Sequence, residues 1–166
     1  MSLNTLEEIA SYIVSDGKGI LAADESNPTC TKRFDTIGVE STEESRRDYR
    51  EMLFRSSGIQ GNIGGVILFD ETIRQNAKDG TSLVDLMNSQ GALPGIKVDK
   101  GLQPIGDSDE TVTVGLEGLD ERLKEYSLLG AKFTKWRAVI KIGNNLPTDN
   151  CIDANMKALA DYAKVV

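Results

Sequence analysis

Apolar residues recur at helical spacing from the start of the chain. Leu6, Ile9, Ala10 and Ile13 follow the capping box Thr5-Leu6-Glu7-Glu8, which predicts a helix over 5–15 that Gly17 and Gly19 stop. The period then changes. Short continuous apolar runs predict strands near 19–24, 64–69, 94–99 and 133–142, and most end in ionisable residues. Between them the helical period returns. Pro28 suits the first turn of a short helix through Phe34, and Ser41-Thr42-Glu43-Glu44 opens a helix to about Ser57 with a stripe of Tyr49, Met52 and Leu53. Leu116, Leu119, Leu123 and Tyr126 mark another helix. Ile152, Met156, Leu159, Ala160 and Ala163 form one face of the last. One helix followed by four strand–helix pairs predicts parallel strands buried on both faces. Lys100–Thr113, with Pro104, Gly106 and Asp107-Ser108-Asp109, reads as a surface loop.

Length and composition narrow the picture. The 166 residues are enough for one domain, and 39% apolar content is enough for a core. A net charge of −7 argues against a general nucleic-acid binder, whose footprint is basic, while leaving room for a local basic pocket. The chain has no histidine, which removes the Ser-His-Asp triad, the Cys-His pair and His-ligated metals together. Cys30 and Cys151 cannot make a disulfide framework, which fits a reduced cytoplasmic setting. The segment Met1 to Ser15 has no basic start followed by an apolar run, so no signal peptide is expected. No apolar run approaches a membrane span.

Candidate chemistry collects at the strand ends: Asp24 on the first, Asp70 on the second, Lys97 and Asp99 on the third, Lys135 and Arg137 on the fourth. Parallel βα folds place active sites at that edge, although polar residues also belong wherever a strand meets solvent. Lys97 lies between Ile96 and Val98 and faces opposite to both. Lys135 and Arg137 share a face that Trp136 does not. If these faces meet, three cations converge with the Asp24 carboxylate. That mouth suits a doubly charged phosphate, and it depresses the pKa of any neighbouring lysine, making a neutral amine available. Buried ion pairs are the structural alternative, a costly one. Ser26-Asn27-Pro28-Thr29, followed by Lys32-Arg33, is a second anion candidate at a helix N-terminus, but these hydroxyls are also ordinary caps. It is not a P-loop, and Gly58, Gly61, Gly64 and Gly65 lack dinucleotide-binding spacing.

Four long motifs carry a resemblance that extends over essentially the whole chain. They are Gly17-Lys18-Gly19-Ile20-Leu21-Ala22-Ala23-Asp24-Glu25-Ser26, Gly64-Gly65-Val66-Ile67-Leu68-Phe69, Gly95-Ile96-Lys97-Val98-Asp99-Lys100-Gly101, and Lys135-Trp136-Arg137 with Ile140-Lys141-Ile142-Gly143. With Ser41 to Arg47, they closely resemble class I fructose-bisphosphate aldolases. The resemblance implies a (β/α)8 TIM barrel and reversible cleavage of fructose 1,6-bisphosphate to dihydroxyacetone phosphate and glyceraldehyde 3-phosphate. It implies no metal, because a lysine imine is the electron sink. By resemblance Asp24 faces the reacting hydroxyl and the carbinolamine, and Lys135 stabilises charge beside the imine. Ser26, Thr29, Arg33, Lys97 and Arg137 match positions that hold substrate phosphate, and Arg46 matches another such position. The partners implied are sugar bisphosphates and triose phosphates, and the intact family member is a cytoplasmic homotetramer.

A full barrel needs about 250 residues and eight strands. The expectation here is a partial barrel over 1–166 holding the N-terminal four βα units. The family's imine-forming lysine and its second phosphate site match no residue of this chain, and Lys141 and Lys164 are poor substitutes. Two alternatives stand beside an aldolase: a shortened, non-catalytic sugar-phosphate-binding paralogue, and an unrelated open sheet of flavodoxin type, whose strand order reverses.

Overall fold

In the computed structural model, which describes Leu3 and residues 5–166 apart from the Asp16 side chain, the four apolar runs pair into one sheet. Met1, Ser2 and Asn4, which begin the segment read as having no signal peptide, lie outside the described residues. The strands are β1 (Gly19–Ala23), β2 (Ile63–Leu68), β3 (Leu93–Lys97) and β6 (Phe133–Lys135), in the order β1-β2-β3-β6. β1 pairs with β2, and β2 with β3, in parallel. The order never reverses, so this is not a doubly wound sheet. The chain divides into two compact units.

The first unit comprises the chain up to Lys97 together with Tyr126–Thr134. It opens with α1 (Leu6–Ile13), where Thr5 and Glu8 form the expected capping box, and a single 3-10 turn (Ser15–Gly17) follows. α2 (Asn27–Asp35), α3 (Glu43–Phe54), α4 (Asp70–Ile73) and α5 (Leu83–Ser89) separate the strands. Register sorts the side chains. Ala23 pairs with Leu68 and Leu68 with Ile96, and all three are fully buried. Alternation then puts Gly65, Ile67, Gly95 and Lys97 on the other face. There the Phe133 ring lies over Gly65 and Gly95, and a Cβ on either would come inside 3.0 Å of it. Glycine in these strands therefore serves close approach.

α3 departs from the expected stripe. Its cap is Thr42 with Ser45, it ends at Phe54, and it buries Arg50 and Phe54 while Met52 is 62% exposed. Arg50 turns inward because a carboxylate awaits it there, as described below.

The second unit comprises Val98–Glu125 and Lys135–Val166. The stretch expected to be a loop forms an antiparallel hairpin, β4 (Leu102–Pro104) with β5 (Thr111–Thr113), since Thr-Val-Thr has strand propensity that the Pro/Gly signals outweighed. The fourth strand stops at Lys135, short of the expected 142. Beyond it the backbone finds side-chain partners: Thr113 Oγ1 donates to the Arg137 carbonyl at 2.6 Å. Trp136 stacks on Tyr162, with ring centroids 5.1 Å apart. α6 (Leu119–Leu128) matches its expected period, with Leu119 fully buried.

α7 (Asp149–Val165) packs on β5. It buries Cys151, Asn155 and Ala158, while Met156 and Leu159 of the expected face remain exposed. Glu110 fixes its rotation. Buried to 2% exposure, it accepts from the Thr148 N–H at 2.8 Å and from the Thr148 hydroxyl at 2.6 Å, and Thr148 caps α7 through Cys151 N–H. Asn155 donates to the Thr111 carbonyl at 2.9 Å, which ties the same helix face to β5.

Two predictions follow from these contacts. Gly95→Ala loses about 2 kcal/mol or more to overpacking against Phe133, whereas Gly19→Ala, with open space around its Cβ, changes stability little. Urea denaturation of the two variants checks this, and equal stabilities would contradict it. The second concerns pH. Hydrogen bonds from Thr148 hold the Glu110 carboxyl below the usual carboxylate range. A depressed folded-state pKa adds stability above the ordinary value near ~4.3, and that stability is lost as pH falls through the folded value. Unfolding followed through Trp136, the only tryptophan, should weaken on acidification from pH 6 to 3, and less so in Glu110→Gln. Identical slopes would remove Glu110 from the account.

Candidate functional site

The site begins where β1 ends. Asp24 follows Ala23 directly and is half-buried. Extending the register by one row from Ala23–Leu68–Ile96 sets Asp24, Phe69 and Lys97 in line. Asp24 and Lys97 therefore share the face opposite the buried row, about 10 Å apart across two strand spacings. Both occupy the C-terminal edge of the sheet, where parallel βα folds keep their chemistry. Each makes a polar interaction within the folded chain.

Three further candidates lie on α2, which starts just after β1. Ser26 is its N-cap, Pro28 sits in its first turn, and Ser26 Oγ lies 3.1 Å from Thr29 Oγ1. Thr29 and Arg33 are four residues apart and so lie on one side of the helix, with Ser26 one turn before. A cap serine that bonds a second hydroxyl, rather than the helix backbone, leaves both hydroxyls at the helix mouth.

Arg33 is 55% exposed but not adrift. Its Nη1 donates to Glu25 Oε1 and, at 3.2 Å, to the Tyr49 hydroxyl. The Glu25 carboxylate raises the Arg33 pKa further, keeping it charged. Glu25 is itself gripped by Arg50, which is 2% exposed and reaches Glu25 Oε2 at 2.9 Å and the Glu25 carbonyl at 3.0 Å. Removing one partner of such a buried pair costs about 3–5 kcal/mol. Tyr49 packs edge-on against Phe34 of α2. Glu25, Tyr49 and Arg50 are the residues that sequence reasoning missed. The available signal was three arginines, at 46, 47 and 50, on one helix.

Arg46 is differently placed. Its Nε and Nη2 form a fork on Glu71, at 2.8 and 2.5 Å, and Nη1 donates to the Ser41 carbonyl at 3.1 Å. All three nitrogens are committed, and the bonds to Glu71 raise its pKa.

Lys135 and Arg137 belong to the second unit. Lys135 closes β6, is half-buried and is engaged in a polar interaction, and its carbonyl accepts from Val98 N–H at 3.1 Å. Arg137 lies two residues on, with an exposed side chain. Lys141 pairs with Asp109 at 2.9 Å and Lys164 with Asp161 at 3.0 Å. A surface cleft of about 580 Å³, lined by Glu43, Glu44, Arg47, Arg74, Gln75 and Asn76, contains none of the predicted residues. Among the described residues, no three His, Cys, Asp or Glu side chains are grouped to hold a metal, and no helix is long and apolar enough to cross a membrane.

Comparison with known proteins supplies the family. The family described as fructose-bisphosphate aldolase class-I matches residues 5–166. The “Probable fructose-bisphosphate aldolase class 1” of Xanthomonas axonopodis is 54% identical over 164 residues, which is 98% of this chain and 49% of that protein. “Fructose-bisphosphate aldolase 4, cytosolic” of Arabidopsis thaliana is 52% identical over 157 residues, 94% of this chain and 40% of the relative. Among solved structures, fructose-bisphosphate aldolase from Plasmodium falciparum, crystallised with TRAP and a small-molecule inhibitor, superposes with a TM-score of 0.92 at 48% identity. That superposition covers 95% of this chain and 46% of the other. The chain thus spans about half the length of the relatives it matches. By its sequence, its strand order and its superposition on a solved aldolase, the chain belongs to the class I fructose-bisphosphate aldolase family.

Proposed function

We propose that this chain contributes the N-terminal half of a class I aldolase site, with fructose 1,6-bisphosphate as substrate and the two triose phosphates as products. The observation that carries this reading is the row at the C-terminal edge of the sheet, where Asp24 and Lys97 share one face and α2 begins directly behind Asp24 with two hydroxyls and an arginine. A carboxylate beside cations, hydroxyls and a helix N-terminus is an arrangement for moving protons next to a bound phosphate.

In this reading Asp24 exchanges a proton with the hydroxyl borne by the carbon whose C–C bond breaks. Lys135 stabilises charge beside the imine and favours the neutral form of the amine that forms it. Ser26, Thr29, Arg33, Lys97 and Arg137 take phosphate oxygens. Arg46 contributes only by exchanging Glu71 for the ligand. The imine-forming amine comes from sequence outside these 166 residues, the chemistry uses no metal, and the working protein is a cytoplasmic homotetramer. The cytosolic name of the Arabidopsis relative supports the location.

Borohydride trapping tests the division of labour. Incubated with dihydroxyacetone phosphate and sodium borohydride, this chain should show no lysine mass increase, and an adduct on any of its lysines would overturn the assignment. The sequence following Val166 separates an aldolase from a non-catalytic paralogue: further βα units support the first, a stop codon the second. Because its guanidinium is already spent on Glu71, Arg46→Ala should weaken triose-phosphate binding less than Lys97→Met, by about threefold against about tenfold in calorimetry. The reverse order would contradict it.

A further inference from the structure

We propose that Glu25 is a positioning residue that presents the phosphate-binding edge of Arg33, and that Arg50 and Tyr49 hold it to that task. The proposal rests on the reading above, in which Arg33 takes a substrate phosphate.

The geometry separates the two edges of the Arg33 guanidinium. Both of its contacts, to Glu25 Oε1 and to the Tyr49 hydroxyl, use Nη1. Among the described residues, Nε and Nη2 make no hydrogen bond. Those two nitrogens form the edge that takes two oxygens of a carboxylate or phosphate in parallel. Arg33 is thus anchored by one corner while its bidentate edge remains unspent, on a side chain 55% exposed. Arg46 is the contrast within the same unit, since there the equivalent fork is filled by Glu71.

The anchor is rigid because of what lies behind it. Glu25 is 10% exposed and takes a salt bridge from Arg50, which is 2% exposed and also donates to the Glu25 carbonyl. The Arg50 guanidinium sits 5.0 Å from the centroid of the Tyr49 ring, whose hydroxyl makes the second hold on Arg33. Thr29 lies one turn before Arg33 on the same side of α2, so the exposed edge and the hydroxyls stand on one helix face. A long side chain fixed in advance loses less rotamer entropy when it binds.

Positioning and simple electrostatics predict opposite signs. Glu25 is an anion beside an anion site, so by charge alone its removal strengthens phosphate binding. If it positions Arg33, its removal weakens binding. The test is calorimetric titration of this 166-residue chain, at pH 7 and low ionic strength, with glyceraldehyde 3-phosphate and, separately, inorganic phosphate. Circular dichroism runs in parallel on each variant. Arg33→Ala should abolish detectable binding. Glu25→Gln should weaken it about tenfold and Tyr49→Phe about threefold. Tyr49→Phe should keep the wild-type spectrum and melting curve, so it decides the matter if Glu25→Gln leaves Arg50 unpaired and the protein fails to fold. Binding as tight or tighter in Tyr49→Phe, or in a folded Glu25→Gln, while Arg33→Ala loses it, overturns the positioning role and leaves the phosphate reading intact. Unchanged binding in Arg33→Ala overturns the phosphate reading itself.

Discussion

In a parallel sheet the register of pairing decides which side chains share a face, and a slip of one residue exchanges the faces. Here the row Ala23–Leu68–Ile96 is fully buried, so the next row, Asp24–Phe69–Lys97, is committed to the opposite side. The packing that enforces this choice is apolar. Phe133 fills the space above Gly65 and Gly95 on the site face, while Leu83 and Met87 of α5 are fully buried in the core of the same unit. Shifting β3 by one residue would bury Lys97 and expose Ile96, exchanging about 1.5–3 kcal/mol of apolar burial for a buried charge. Asp24 and Lys97 at the strand ends are thus placed by apolar packing around them.

Around that edge, charge is arranged in two ways. Some arginines are closed: Arg46 puts Nε and Nη2 on Glu71, a structural tie between α3 and α4, and Nη1 on the Ser41 carbonyl. Others are open: Arg33 is held at one nitrogen only. The closed pair stabilises, and the open one stays available. In the second unit Glu110 is likewise closed, a buried carboxylate that accepts from both the N–H and the hydroxyl of the α7 cap residue Thr148.

Much of this was legible in the sequence, for physical reasons. Continuous apolar runs located four strands to within two residues at their starts, but the burial on both faces expected of them holds for β2 and β3 only, since β1 buries Ala23 alone and β6 is half-buried throughout. The capping box at Thr5 was legible because its hydrogen bonds are local. What escaped depended on distant partners. Arg50 is buried against Glu25, a partner from another element that helical spacing does not reveal, and Met52, expected in the apolar stripe, faces solvent. The fourth strand ended early because Thr113, from another element, took a carbonyl that a ladder would have used. α7 turned a polar face inward because Glu110 and Thr111 offered it partners. Among the candidate site residues, Asp24 was singled out by its place at a strand end, Lys97 by strand alternation, and Ser26 and Thr29 by helix-start chemistry, whereas the different hydrogen bonding of Arg33 and Arg46 does not follow from spacing at all.

The central claim is that the C-terminal edge of the sheet, behind β1 and at the end of β3, is where a sugar phosphate sits. Amide chemical-shift mapping of the isotope-labelled chain during titration with dihydroxyacetone phosphate tests it most directly. The account predicts saturable shifts at Asp24, Ser26, Thr29, Arg33 and Lys97, with α1 and the β4–β5 hairpin unmoved. Shifts confined to the cleft lined by Arg47 and Arg74, or spread over surface lysines without saturation, would contradict it.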